Sequence, residues 1–323
     1  MKNDEVKEDK VKELGIFTNG NEDSFKSDKD VKRKLALSGD IYYTTPLPKN
    51  PTLNNYLQRA SERQEQMKEM AINNENFVGI ILPETSSIHI MGDLHFGNPN
   101  TDNERIAREI EAIKNTPNNY LFLVGDVVDG IFWGGASDQS QTLNEQYGFL
   151  RTFFKEMKGK LLLGVSGEHD SKWASKSGAD PYFMMTEESE APYVRGVAEV
   201  SIAVGEQDYK LAVQHKAKGH SMYNKNHPTY RESRFSLQGC DVYISAHTHQ
   251  KQIAQEAIRE FGGARQVTHV SVGPYKSSDE YSERQGYIKQ GPEEMFGASI
   301  RLRKDNKKVD VLPDILEAIK TWN

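Results

Sequence analysis

Five clusters of carboxylates and imidazoles recur along the middle of the chain. They are Gly92-Asp93-Leu94-His95, Gly125-Asp126-Val127-Val128-Asp129-Gly130, Ser166-Gly167-Glu168-His169-Asp170, Gln214-His215 and Ser245-Ala246-His247-Thr248-His249. Mixed carboxylate oxygens and imidazole nitrogens suit Mn, Fe, Zn, Ni or Co, whereas calcium takes oxygen alone. Asp-x-His and His-x-His place two side chains on the same side of an extended segment, so both can face one ion. The glycines before Asp93, Asp126 and Glu168 let the chain turn sharply as it leaves a strand. Singly these motifs are ordinary: Gly-Asp at a strand end is commonly a turn with a helix cap. Five in order are hard to explain by chance, and they point to a dinuclear metal site. His89 and His269 lie inside apolar runs and read as core; His220 and His227 read as loop surface. The lone Cys240 excludes an intrachain disulfide framework and a thiolate-rich zinc site. No Ser/His/Asp or Cys/His arrangement stands out.

Each cluster directly follows a short apolar run: Ile88–Met91, Tyr120–Val124, Lys160–Val165, Leu211–Val213 and Val242–Ile244. Strands of an open α/β sheet present their C-terminal ends along one edge, which lets residues distant in sequence converge. Helical periodicity fills two of the gaps, about Asn103 to Lys114 and about Asn144 to Met157. The runs Ala198–Val204 and Tyr209–Val213 predict a strand pair joined by Gly205-Glu206-Gln207-Asp208. Two later strands, near Val267–Val272 and Ala298–Leu302, are expected to complete a second sheet, and Asp314–Trp322 predicts a terminal helix. The alternation of apolar runs and amphipathic stretches is that of an α/β fold. Ahead of it, residues 1 to about 40 are polar and read as a mobile or partner-dependent arm. Thr52 to Asn73 carries apolar residues at helical spacing and predicts a helix docked on the body.

The formal charge of −6 weakens any reading in which the chain coats nucleic acid by bulk charge, while leaving room for a local basic groove. No apolar stretch is long enough to span a membrane. The charged start, Met1 to Lys12, lacks the apolar core of a signal peptide. A cytoplasmic location is therefore the default expectation.

In order and type, the clusters resemble the calcineurin-like metallophosphoesterase superfamily, whose pattern is Asp-x-His, Gly-Asp-x-x-Asp, Gly-Asn-His-(Asp/Glu), a later His, then Gly-His-x-His. The match runs from about Ile88 to Leu302. More narrowly the chain resembles phage and prophage metallophosphoesterases, in segments such as Gly178-Ala179-Asp180-Pro181 and Tyr281-Ser282-Glu283-Arg284-Gln285-Gly286-Tyr287. A bacterial host cytoplasm would then be its location. The resemblance implies a four-layer α/β/β/α sandwich with two central mixed sheets and, here, an N-terminal extension. The implied organisation is a polar arm plus docking helix over 1–75, the metallophosphoesterase domain over 76–312 and a C-terminal helix over 313–323. It implies two divalent ions, manganese foremost, with Fe, Zn, Ni, Co or Mg also admitted. Asp93, His95 and His249 would hold one ion and His215 and His247 the other. Asp126 would bridge both, and Glu168 would join the second. His169 would stand beside the scissile phosphate, oriented by Asp129.

Three departures qualify the match. Position 168 is Glu where the family has Asn, which lengthens the side chain and adds a negative charge. Gly130 and Ser171 stand where the Ser/Thr protein phosphatase branch has phosphate-binding arginines, so that activity is not expected. Ala246 replaces a glycine.

The expected reaction is phosphodiester cleavage of nucleic acid or nucleotides by hydroxide that the metals generate near neutral pH. The substrate class rests on Lys216, Lys218, Lys225, Arg231 and Arg234 interleaved with Tyr223 and Tyr230, next to Lys172 and Lys176. A solvated charged loop explains these residues equally well, and Trp133 with Gly134-Gly135 is as much a structural loop as a stacking lid. Two alternatives stay open: a phosphomonoesterase with a small substrate, and a binding protein whose chemistry Glu168 has weakened. The N-terminal arm leaves oligomerisation open as well.

Overall fold

Strands buried on both faces place the five clusters at one edge of the molecule. The computed structural model describes residues 16–18, 48, 50, 52–58, 60–62, 76–130, 139–177, 188–219, 221, 223–260, 262–277 and 291–322. Among them, a six-stranded sheet runs in the order β13 (Val309–Leu312), β12 (Ala298–Leu302), β3 (Ser86–Met91), β4 (Asn119–Val124), β5 (Leu161–Val165) and β6 (Tyr193–Val194). A seven-stranded sheet runs β1 (Ile16–Thr18), β2 (Phe77–Leu82), β7 (Ala198–Val204), β8 (Gln207–Val213), β9 (Val242–Ser245), β11 (Gly263–Ser271) and β10 (Gln252–Glu260). β3 to β6 are parallel and β12 opposes β3. β8, β9 and β11 are likewise parallel, and β10 opposes β11. Both sheets are mixed, as expected.

The pleat sorts each strand into two packed faces. On β4, Tyr120, Phe122 and Val124 point between the sheets, where they meet Ile88 and Ile90 of β3 and Ile202 and Val204 of β7. Leu121 and Leu123 point the other way, onto Ile106 and Ile113 of α1 (Asn103–Asn115), Phe153 and Phe154 of α2 (Leu143–Glu156) and Ile315 of α5 (Ile315–Trp322). Double burial is why these strands read as unbroken apolar runs. On the far side of the seven-stranded sheet, Tyr230 of α4 (His227–Phe235) stacks on His269 of β11 at 4.1 Å. The result is the four-layer α/β/β/α sandwich.

Some elements fall elsewhere than the sequence predicts. The two late strands do not complete one sheet: β11 pairs with β9 and β12 with β3. The polar arm contains the edge strand β1, whose Ile16, Phe17 and Thr18 pair with Ile80, Gly79 and Val78. Residues 53–58 and 60–62 are helical, with Leu53, Tyr56 and Leu57 exposed. The rest of the predicted docking helix, and the loop bearing Trp133, lie outside the described residues. No helix among those described is long and apolar enough to cross a membrane.

His89 is a core residue, buried between Ser299 Oγ and Asn119 Oδ1, each 2.7 Å from a ring nitrogen. Burial lowers it to about 4, against the pull of the Asn119 hydrogen bond. The unfolded chain then takes up this proton from about pH 6.5 downward while the folded chain resists until about pH 4. The His89 contribution to stability is therefore full above pH 6.5 and falls by about 3 kcal/mol across that window. Nitrogen NMR of the His89 ring in folded protein is expected to show a neutral imidazole at pH 5.5; a ring that titrates near 6.5 would refute the assignment.

Candidate metal centre

The loops that leave β3, β4, β8 and β9 are laced together before any side chain is considered. Asp93 N–H donates to Gly125 O at 3.0 Å, His95 N–H to Asp126 O at 3.0 Å, and Ala246 N–H to His215 O at 2.9 Å. Asp93, His95, Asp126, His247 and His249 all take left-handed backbone conformations, with φ between 47° and 69°. Such conformations cost side-chain-bearing residues about 1–3 kcal/mol each and persist where surrounding structure enforces them. Five of them, after strands of both sheets, meet in one place and mark a functional site. Gly167 allows the closest approach, since a Cβ there would lie 2.0 Å from Asp126 Oδ1.

The side chains converge in three overlapping groups, within each of which the ligand atoms lie within 4.8 Å of one another: Asp93, His95 and His249; His95, Asp126 and His169; and Asp126, His215 and His247. His95 Nε2 is 3.2 Å from His249 Nε2 and 3.9 Å from Asp93 Oδ1, and Asp93 Oδ1 is 3.5 Å from His249 Nε2. His215 Nε2 is 3.2 Å from Asp126 Oδ2 and 3.8 Å from Asp93 Oδ1. Two ligands each about 2.1 Å from one ion are separated by roughly 3 to 3.5 Å.

The hydrogen bonds behind the rings fix which nitrogen faces the centre. His215 Nδ1–H donates to the Val124 carbonyl at 2.8 Å, so the neutral ring turns the Nε2 lone pair toward the Asp126 carboxylate. Two lone pairs cannot stay face to face without a proton or a cation between them. Asp93 Oδ1 and His215 Nε2 are indeed buried without a hydrogen-bond partner. Burial disfavours protonation of His215, yet Asp126 and Asp93 outweigh it and raise the ring to about 10. Burial likewise opposes ionisation of Asp93 and Asp126, but the imidazoles, His249 and His215 foremost, hold both carboxyls well below the usual range. His95 differs: burial, helped by Lys276, lowers it to about 4, and its Nδ1–H donates to Asp129 Oδ1 at 3.0 Å. A cation would satisfy the same unpaired atoms, so the donor set fits divalent metal.

Two expected roles are modified. The Asp129 carboxylate meets His95, Gln139 Nε2 at 2.8 Å and Asn98 Nδ2 at 3.3 Å; it is the Asp129 backbone carbonyl that accepts from His169 Nδ1–H. The carboxylate thus turns toward three donors and supports His95 rather than His169. Glu168, the first residue of α3 (Glu168–Ser177), lies outside the three groups. Its Oε1 is paired with Lys216 Nζ, while its Oε2 stands 3.5 Å from His247 Nδ1. Of the basic and aromatic loop residues, Lys225 pairs with Glu294, Arg234 with Glu256 at 3.3 Å, and Tyr230 is spent on His269. Lys218 and Tyr223 are exposed.

Asp170 and Lys276 are site residues that the motif reading did not assign. Asp170 Oδ2 accepts from Asp126 N–H at 2.9 Å and Gly167 N–H at 2.7 Å, clamping two loops. Burial, then the charge of Asp126, hold its carboxyl well above the usual range. Its signal was present: a third helical residue reaching back over the helix start is a capping pattern. Lys276 Nζ lies 3.8 Å from Asp129 Oδ1, beyond the end of β11. The strand-end rule, applied to that strand also, would have found it.

Asp129→Ala is expected to weaken metal binding about 10- to 100-fold by freeing the His95 ring. Competition against a calibrated chelator measures this, and unchanged affinity would refute the support role.

The calcineurin-like phosphoesterase family matches residues 86–251, just over half of the chain. No curated protein matches it. Among solved structures, vacuolar protein sorting 29 from Cryptosporidium parvum is similar at 14% identity, covering 71% of this chain and 97% of that one, with a TM-score of 0.35. The nuclease MPE from Pseudomonas putida is similar at 15% identity, covering 72% and 87%, with a TM-score of 0.29. A metallophosphoesterase from Sphaerobacter thermophilus is similar at 13% identity, covering 70% and 87%, with a TM-score of 0.34.

Proposed function

The chain belongs to the calcineurin-like phosphoesterase family, and from that premise we propose that it is a metal-dependent phosphodiesterase acting on nucleic acid or nucleotides. The observation that carries the reading is the pair of buried, unpaired ligand atoms, Asp93 Oδ1 and His215 Nε2, within overlapping groups of carboxylates and imidazoles. We assign Asp93, His95 and His249 to one divalent ion, His215 and His247 to a second, and Asp126 to both, with manganese the favoured metal. Divalent ions bound there supply Lewis acidity and make water a nucleophile near neutral pH.

The chain's own residues do the rest. Asp126 Oδ1 accepts from His169 N–H at 2.9 Å, which fixes the start of α3 against the centre. With Nδ1–H held by the Asp129 carbonyl, the His169 ring turns Nε2 toward the site. Protonated there, it donates to a phosphate oxygen or to the departing alkoxide, a role worth roughly 10² to 10⁴ in rate. Lys218 and Tyr223, exposed on the loop after β8, offer a cation and a stacking face to a strand that continues beyond the scissile bond.

The test is hydrolysis of bis-p-nitrophenyl phosphate and p-nitrophenyl phosphate by metal-stripped protein titrated with Mn²⁺, Ni²⁺, Zn²⁺ and Mg²⁺, followed by DNA and RNA oligonucleotides. Metal-dependent cleavage of the diester is expected. Cleavage of the monoester alone would replace the reading with a phosphomonoesterase. No cleavage with any metal would replace it with a binding protein.

A further inference from the structure

Two divalent ions would offset the carboxylates that hold them, so any further carboxylate at the rim of the centre sets the charge balance an anionic substrate meets. Asp93, Asp126 and Asp129 converge there, and Glu168 adds a fourth carboxylate at the rim. Its two oxygens face different ways. Oε2 looks inward, 3.5 Å from His247 Nδ1, while Oε1 looks outward and pairs with Lys216 Nζ. The Lys216 side chain is 54% exposed and that of Glu168 36%, so water screens the ammonium more than the carboxylate. Burial works against the Glu168 charge, but Lys216 and then His247 hold the carboxyl below its usual range. An exposed pair of this kind contributes little to stability. Its consequence is the field it casts on the site.

Phosphate esters differ in charge by class. A diester carries one negative charge, whereas a monoester above its second pKa of about 6 carries nearly two. A carboxylate facing the cluster resists the second charge, and the ammonium behind it moderates that resistance. Resting on the phosphoesterase reading, we propose that the Lys216–Glu168 pair is a charge selector that favours singly charged phosphodiesters over doubly charged phosphomonoesters. Lys216 is then a specificity-determining residue, acting through Glu168 rather than on the reacting atoms.

The proposal predicts opposite signs for the two ends of the pair. Removing the ammonium in Lys216→Met uncovers the carboxylate and disfavours the dianion further, and Lys216→Glu does so more strongly. Neutralising the carboxylate in Glu168→Gln frees the ammonium and favours the dianion. Glu168→Gln with Lys216→Met returns the balance toward that of the parent. Each single change is expected to move the monoanion-to-dianion preference roughly three- to tenfold, less at high salt.

The experiment is isothermal titration calorimetry of Mn²⁺-loaded protein with phenylphosphonate and with its monomethyl ester, at a pH where the phosphonate carries two charges. Phenylphosphonate has no ester bond, and its monomethyl ester has only a poor methoxide leaving group; methanol release is assayed so that binding is read apart from turnover, and metal content per chain is measured alongside. The expected result is a preference for the monoester anion that rises in the order Lys, Met, Glu at position 216 and falls in Glu168→Gln. A preference that stays flat along the 216 series overturns the proposal, as does binding of neither compound. If Glu168→Gln lowers metal content, the 216 series alone decides. Absence of nitrophenyl ester hydrolysis in the parent would defeat the phosphodiesterase reading while leaving this binding result intact, so the two failures are distinct.

Discussion

Asp126→Asn is expected to lower metal-dependent phosphodiester hydrolysis by about 10³-fold, beyond the 10- to 100-fold typical of residues that only support a ligand. Asp126 belongs to two of the three groups, one with His95 and His169 and the other with His215 and His247, while His95 links them to Asp93 and His249. Asp126 Oδ2 faces His215 Nε2 at 3.2 Å and its Oδ1 takes the His169 peptide N–H at 2.9 Å. An amide keeps the volume but offers one acceptor where two are used, and it removes the charge that makes the centre attractive to cations. Whichever way the amide turns, its NH₂ meets a cation site or an existing donor. The variant should bind fewer than two equivalents of Mn²⁺ and retain the near-ultraviolet circular dichroism of the parent. Activity within tenfold of the parent, with metal content unchanged, would remove Asp126 from the shared position.

What the sequence made legible, and what it did not, divides along physical lines. The strands holding Ile90, Phe122, Leu163 and Ile244 were readable because burial on both faces leaves an uninterrupted apolar run. The clusters after them were readable because ligand chemistry restricts residue type. β1 was hidden because Ile16-Phe17-Thr18 is short, lies in a polar arm and gains its stability from pairing with β2, a contact no local pattern encodes. The membership of β11 and β12 in different sheets was hidden for a related reason: an apolar run specifies burial but not its neighbour. Asp129 shows the limit within the site. Its type and spacing placed it at the centre, yet the choice between His95 and His169 depended on Asn98, Gln139 and Lys276, which arrive from three other segments.

Glu109→Ala is expected to destabilise the fold by about 3–5 kcal/mol, the range for breaking a buried pair by deleting one partner. Glu109 is fully buried on α1, where it accepts from Arg105 Nε at 2.6 Å and from the Tyr275 hydroxyl. Burial raises its carboxyl despite both donors. Deleting it strands the Tyr275 hydroxyl donor in the core and leaves Arg105, whose side chain is 13% exposed, with Asp314 as its carboxylate partner. For a chain of this size the loss corresponds to a fall in Tm on the order of 10 °C. The effect should not stop at stability. Tyr275 N–H donates to the Asp93 carbonyl at 2.9 Å, and its own carbonyl accepts from Asp102 N–H at 2.9 Å. Glu109 therefore tethers the loop that carries Asp93 to α1 and, through Arg105 and Asp314, to the start of α5. Apolar replacement of both charged partners is far less costly than deletion of one. Adding Arg105→Met to Glu109→Ala should accordingly recover part of the lost Tm by removing the stranded guanidinium. Metal affinity should recover less, because the Tyr275 hydroxyl still lacks the carboxylate that positions it. Equal recovery of both quantities would mean that the network stabilises the fold without tuning the centre.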